Sequence, residues 1–170
     1  INVLCKLIAD VIDENGRITI PHFYDDVEEV PAAEREMIAA IPFDEEAYKQ
    51  GLGVEALQGE KGYSTLERNS CRPSFDVCGI WGGYTDEGAK TVIPSKAYAK
   101  VSTRLVPHQQ HEKISQLFID YIKEVAPRSV KVEVTPLHGG EGYVCPITIP
   151  AYRAAEDGFT QAFGKRPLAV

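Results

Sequence analysis

The chain lacks the sequence features that insert a protein into a membrane or export it. None of its apolar runs approaches the roughly 20 residues that a membrane helix requires, and no basic segment followed by an apolar one opens the sequence. The four cysteines have no C-x-x-C spacing, so buried free thiols are predicted rather than disulfides or zinc ligands. Together these absences predict a soluble protein of the reducing cytoplasm, with no membrane partner.

Positive charge is also scarce. The sequence has 18 Lys and Arg against 25 Asp and Glu, a net charge of -7, and its basic residues are scattered. Nucleic-acid binding relies on clustered basic residues, so no nucleic-acid partner is expected. The glycine-rich stretch 82–88 lacks both G-x-G-x-x-G and the Walker spacing, which favours a hairpin-like connection over a phosphate site.

No metal-binding constellation is evident either. The acidic pairs Asp25-Asp26 and Glu28-Glu29 lack the spacing of a calcium loop and read as a solvated surface. His108 and His111 have the i, i+3 spacing that can chelate, but no third ligand is near in sequence. Surface histidines are the simpler interpretation.

What is present predicts one α+β domain, since 170 residues at 44% hydrophobic content can bury one sizeable core. Apolar residues recur at helical spacing over 3–12, 112–125 and 151–163, and alternate over 74–81, 97–106 and 131–135. The order helix, strand, strand, helix, strand predicts a ferredoxin-like α/β sandwich, an antiparallel sheet with helices on one face, whose first strand is missing. Residues 17–72 break the pattern and are predicted to be a long insertion with two acidic surface helices.

Two short runs carry candidate binding residues, and a third segment adds one. Thr91 lies in the run Lys90–Pro94, and Arg104 opens the run Arg104–Pro107 on the polar face of a predicted strand. A guanidinium can donate two parallel hydrogen bonds to a carboxylate, and a nearby hydroxyl can orient the same group. Patterning alone favours a solvated charge or a salt-bridge partner as the role of Arg104. The pair of glycines after His138 permits either a turn at a domain edge or a close approach to a ligand.

These runs resemble the lid region of the zinc-dependent dipeptidase family that includes carnosine dipeptidase, glutamate carboxypeptidase and succinyl-diaminopimelate desuccinylase. The same resemblance extends, in the right order, through the segments Asp13–Ile18, Arg72–Ser74 and His138–Gly164. It implies that Thr91 and Arg104 contact a bound dipeptide, with Arg104 at its terminal carboxylate. His138 is a further candidate substrate contact because of the glycine pair that follows it. The resemblance also implies a homodimer formed through the lid.

The resemblance further implies that the catalytic machinery lies outside this chain. The family's two zinc ions are held in a separate domain by an H-x-D pair, a bridging Asp, a Glu-Glu pair and distal histidines, and none of these motifs occurs here. A chain that begins at Ile1 is expected to be a fragment or a processed product, cut from a longer enzyme at both ends. Residues 1–138 are predicted to be the lid and dimerisation domain, and residues 139–170 the start of the return into the catalytic domain. The alternative is a non-enzymatic ferredoxin-like module that binds a ligand or another protein with the same arginine.

Overall fold

The computed structural model describes residues 1–168. Two strands and six helices follow one another as α1 (Asn2–Ala9), α2 (Ala32–Ala39), α3 (Glu45–Leu52), α4 (Thr65–Ser70), β1 (Ser74–Gly82), β2 (Ala97–Arg104), α5 (His111–Val125) and α6 (Pro150–Phe163). Within the described residues, no helix has the length and apolar character needed to cross a bilayer.

An antiparallel hairpin of β1 and β2 forms the sheet. The apolar face of α5 supplies Ile114 and Ile122 to a core that includes Phe75 of β1. Ile8 of α1 and Val101 of β2 pack against the same core. The helices therefore cover one face of the hairpin, and the predicted class, mixed helix and antiparallel sheet, is confirmed.

A β-bulge divides β1 between Val77 and Gly79. Strict alternation predicts that Phe75 and Trp81 share a face, but the bulge adds a residue and reverses the alternation beyond it. Ile80 is paired with Ala99, on the face of the hairpin that also carries Val101, whereas Trp81 is paired with Tyr98 on the open face. The two rings stack there with centroids 5.4 Å apart.

The prediction of a third strand at 131–135 is wrong. This segment has no regular secondary structure. Val132 and Val134 pack against the core, but the segment forms no ladder with any described residue. Alternation reports which side chains are buried, whereas a strand also needs a neighbour for its N–H and C=O groups. Over residues 1–168 the sheet consequently has two strands rather than three.

The insertion at 17–72 contains the two short helices that were predicted and a third that was not predicted. The acidic segments form α2 and α3, while α4 begins at a capping box in which Ser64 accepts from the Glu67 N–H and Glu67 accepts from the Ser64 N–H. This Ser-x-x-Glu signal is readable in the sequence, but the helix has only six residues and no apolar period. The capping box therefore indicates α4 in the sequence, whereas hydrophobic periodicity does not.

The predicted helix ends are confirmed in part, whereas the predicted burial of the cysteines is wrong. Helix α5 begins one residue before its predicted start, and α6 ends at Gly164 with φ 68° as predicted. Helix α1 ends at Ala9, short of the predicted Ile12, because the chain turns to form an isolated bridge between Ile12 and Ile18. The cysteines are free, but three are exposed and Cys71 is half-buried, so the prediction of buried thiols is wrong.

Candidate functional site

Arg104 ends β2 directly opposite Ser74, the first residue of β1. Its side chain lies on the open face of the hairpin, the face that Tyr98 and Lys100 share at alternate positions. The ion pairs of arginine in the described part of the chain involve Arg17, Arg35, Arg72 and Arg166. Arg104 therefore has a guanidinium without a carboxylate partner among residues 1–168.

A cavity of about 580 Å³ opens beside Arg104. Its walls come from the end of α4, the start of β1 and the end of β2, namely Arg68, Asn69, Ser70, Arg72, Ser74, Asp76, Arg104, Leu105 and Val106. Three of these residues are arginines and one is an aspartate, in a chain whose net charge is -7. Such a concentration of positive charge suits an anionic ligand.

The turn that follows Arg104 is held from inside the protein by Gln109, whose side chain is fully buried. Its Oε1 accepts a hydrogen bond from the Val106 N–H at 3.1 Å, and its Nε2 donates to the Phe23 carbonyl at 2.8 Å. Both ends of the amide are thus satisfied in a dry environment, which fixes the backbone between β2 and α5. Nothing in the sequence distinguishes Gln109 from its polar neighbours His108 and Gln110.

A buried ion pair forms the floor of the same cavity. Arg72 donates to both carboxylate oxygens of Glu60, at 2.7 and 2.8 Å, and only 3% of its side chain is exposed. Burial lowers the pKa of Arg72, but hydrogen bonding and attraction to Glu60 outweigh it, so the net pKa lies above the ordinary arginine value. Arg72 is therefore a fixed positive group whose charge Glu60 neutralises.

Thr91 lies at the opposite end of the hairpin. The loop 83–96 joins β1 to β2 next to Ala97, and its residues Lys90 and Val92 line a second cavity with Trp81 and Tyr98. Seven residue steps separate Ala97 from Arg104, which at roughly 3.3 Å per residue is about 23 Å. A single copy of the chain does not bring Thr91 and Arg104 together.

His138 lies nearer to the Arg104 end. It is exposed in a segment without regular structure, and the next residue, Gly139, rests on the ring of His111 at the start of α5. A Cβ built on Gly142 would be 3.3 Å from Val106, which also lines the arginine cavity. The segment carrying His138 therefore crosses the surface beside the turn that follows Arg104.

Among residues 1–168, no group of three or more His, Cys, Asp or Glu side chains is placed to hold a metal ion. The two histidines at the start of α5 instead approach carboxylates, His108 with Glu28 at 3.4 Å and His111 with Glu141 at 3.9 Å. The cavity beside Arg104, in contrast, offers guanidinium groups that can bind an anion.

The chain is similar over nearly its whole length to curated metallodipeptidases. It is 30% identical to the human Beta-Ala-His dipeptidase over 169 residues, covering 96% of this chain and 33% of that protein. It is 31% identical to the Cys-Gly metallodipeptidase of Candida albicans over 157 residues, covering 89% of this chain and 32% of that protein. The chain thus spans about a third of the length of the curated relatives it matches.

Solved structures show the same fold. An M20 family metallo-carboxypeptidase from Sulfolobus solfataricus superposes with a TM-score of 0.86 at 28% identity, covering 99% of this chain and 38% of that one. Human carnosine dipeptidase 1 gives a TM-score of 0.80 at 27% identity, with 99% and 36% covered. Residues 1–130 match the peptidase dimerisation domain of the M20 group. The resemblance found in the sequence is confirmed, and the chain belongs to the M20 peptidase dimerisation domain family.

Proposed function

We propose that this chain is the lid and dimerisation part of a di-zinc metallo-dipeptidase, in which Arg104 captures the terminal carboxylate of a dipeptide. The observation that carries the proposal is the Arg104 guanidinium, which has no carboxylate partner among the described residues and lines a cavity at the end of the hairpin. The curated relatives are dipeptidases, which supports the substrate class. The two zinc ions belong to a catalytic domain outside these residues.

Capture of the substrate carboxylate by the lid, with catalysis in a separate domain, has a physical basis. An arginine that pairs with a free terminal carboxylate favours exopeptidase action, because an interior peptide bond would leave the guanidinium without its partner. In this proposal residues 1–138 form the lid, and residues 139–170, with His138 at their border, begin the return into the catalytic domain. His138 is proposed as a further substrate contact on the strength of its position beside the Arg104 turn.

Thr91 requires a second copy of the chain to share a substrate with Arg104, because the two lie at opposite ends of β2, a strand about 23 Å long. A two-fold pairing of β1 with β1 of a second copy would be antiparallel, so the Gly82 end of one strand would adjoin the Ser74 end of the other. The loop carrying Thr91 would then lie at the partner's Arg104. We therefore propose that the homodimer through the lid assembles each binding site from Arg104 of one copy and Thr91 of the other.

The test is the Arg104→Ala substitution in the full-length enzyme, assayed on free dipeptides. Loss of one charge-assisted pair is expected to lower kcat/KM by roughly ten- to a hundredfold. Thr91→Ala should lower it less, since a neutral hydroxyl contributes less than an ion pair. Arg128→Ala is the matched control, because Arg128 is exposed, has no ion pair among the described residues and lies beyond the far end of α5. Unchanged kinetics for Arg104→Ala would refute the role of Arg104, whereas a full-length protein that hydrolyses no free dipeptide would favour the non-enzymatic module.

The cytoplasmic location remains a prediction. It was inferred partly from buried thiols, and the thiols of Cys5, Cys78 and Cys145 are exposed. Free exposed thiols are still more usual in a reducing compartment than outside the cell. Cell fractionation, combined with labelling by a thiol-reactive reagent that does not cross membranes, would test this location.

A further inference from the structure

The cavity beside Arg104 contains a second guanidinium that the proposed capture of a terminal carboxylate does not use. Arg68, near the end of α4, lines the cavity together with Arg104 and Arg72. Glu60 neutralises Arg72, but neither Arg68 nor Arg104 has a carboxylate partner among residues 1–168. Two uncompensated positive groups therefore line one cavity.

Arg68 is held in place by backbone rather than by an opposing charge. Its Nε donates to the Glu60 carbonyl at 2.9 Å, and its side chain lies across Gly59, where an added Cβ would come within 2.6 Å of the arginine Cδ. This single bond orients the guanidinium, while its two terminal nitrogens have no hydrogen-bond partner among the described residues. A guanidinium oriented in advance loses less entropy when a ligand arrives.

The carboxylates around Arg68 are already committed elsewhere. Glu60 accepts from Arg72 and Arg17, and Glu67 accepts from Arg35 and from the Ser64 N–H. Asp76 is the one carboxylate among the nine lining residues, and it accepts from the Ser74 hydroxyl at 2.6 Å. The cavity thus keeps more positive than negative charge.

We propose that this cavity selects substrates with two carboxylates at their C-terminal residue, that is, dipeptides ending in glutamate or aspartate. Arg104 would take the terminal carboxylate, and Arg68 the carboxylate of the side chain. A volume of about 580 Å³ is ample for an acidic side chain with bound water. This inference rests on the proposed function, and it adds a specificity residue to it.

The experiment compares two dipeptides that differ only in charge, one ending in glutamate and one in glutamine, with the full-length enzyme. The glutamate dipeptide is expected to have the higher kcat/KM by roughly tenfold or more, the range of a charge-assisted hydrogen bond. Arg68→Gln should bring the ratio of the two kcat/KM values towards one, and Arg68→Lys should retain part of it. Arg128→Gln, which removes the same charge at a distance, should leave the ratio unchanged.

Each outcome decides between the inference and the function it rests on. Equal kcat/KM for the two dipeptides in the unaltered enzyme, or an equal loss on both in Arg68→Gln, overturns the acidic subsite while leaving the dipeptidase proposal intact. Hydrolysis of neither of these two dipeptides overturns the acidic subsite, and failure to hydrolyse any free dipeptide overturns both proposals. An unchanged circular dichroism spectrum for Arg68→Gln and Arg68→Lys shows that a changed ratio comes from the cavity and not from unfolding.

Discussion

Glu60 connects the insertion to the rest of the fold through ion pairs and a backbone hydrogen bond. Its carboxylate pairs with the buried Arg72 and with Arg17 at 3.1 Å, and its backbone carbonyl accepts from Arg68. The guanidinium of Arg17 stacks on the ring of Tyr24, 3.9 Å from its centroid. Glu60 thus joins the turn after α1, the end of the insertion and the start of β1 through one side chain.

Removing this carboxylate should destabilise the fold strongly. Glu60→Ala leaves Arg72 charged and buried without its partner, a situation that costs about 3–5 kcal/mol. Urea denaturation of the chain should show this loss of unfolding free energy. Glu36→Ala, an exposed glutamate of α2, is the control and should change it by less than about 0.5 kcal/mol. Similar losses for the two variants would show that Glu60 is not a buried anchor.

Glu67 makes the stability depend on pH. The hydrogen bond from Arg35 lowers its pKa below the ordinary 4.5, burial opposes this, and the Ser64 N–H adds to the lowering. A carboxyl whose pKa is lower in the folded state stabilises the fold when ionised, so its contribution is complete above pH 4.5 and is lost as the pH falls through the folded value.

The expected observation is a pH-dependent difference between wild type and Glu67→Gln. Urea midpoints should differ by a constant amount from about pH 7 down to about pH 5, and the difference should shrink below that, as the wild-type carboxyl protonates. A difference that stays constant to about pH 3 would mean that the pKa of Glu67 is not lowered.

At the scale of elements, the segment 139–142 is seated on the start of α5 by close packing. A Cβ on Gly139 would lie 2.5 Å from the Cγ of His111, whereas a Cβ on Gly140 would meet no atom within 4 Å. Gly139→Ala should therefore destabilise the chain by about 1–3 kcal/mol through overpacking. Gly140→Ala should be nearly neutral, within about 0.5 kcal/mol.

Thermal unfolding of the two glycine variants measures this difference directly. Proton NMR of the His111 ring provides a second readout, since Gly139→Ala must displace that ring and Gly140→Ala need not. Equal melting temperatures and an undisturbed His111 resonance would place the segment carrying His138 elsewhere, and would weaken its proposed contact with a substrate.

At the scale of the whole molecule, the hairpin has unpaired strand edges among residues 1–168. In this part of the chain β1 and β2 pair only with each other, so both outer edges carry N–H and C=O groups available to another strand. Beside them Val77, Ile80 and Trp81 of β1 are each 44–45% exposed. An apolar strand with a free edge is a surface that a second copy of the same chain can cover.

The chain is therefore expected to self-associate through β1. Light scattering over a concentration series should show mass rising from monomer to dimer at micromolar to high micromolar protein. Trp81→Lys should weaken association by adding a charge beside the edge, whereas Phe159→Lys, at an exposed aromatic of α6, should not. A strictly monomeric mass at every concentration would refute the proposed two-fold contact.

The sequence by itself determined the elements whose signals are local. The apolar period of α5, the glycine that ends α6, the alternation of β2 and the polar face of Arg104 all follow from residues within one turn or one strand. The family was readable for the same reason, since its motifs are short runs. These predictions needed no knowledge of what lies across the molecule.

Only the tertiary structure decided the features that depend on distant partners. The bulge after Val77 reversed the face of Trp81, and the segment 131–135 lacked a ladder neighbour among the described residues. Strand β2, about 23 Å long at roughly 3.3 Å per residue, separated the loop carrying Thr91 from Arg104. Arg68 reached the cavity because Glu60, eight positions earlier, turned its carbonyl towards it. Hydrophobic period specifies which side chains are buried, whereas register, hydrogen-bond partners and unpaired charges are set by contacts that no local pattern encodes.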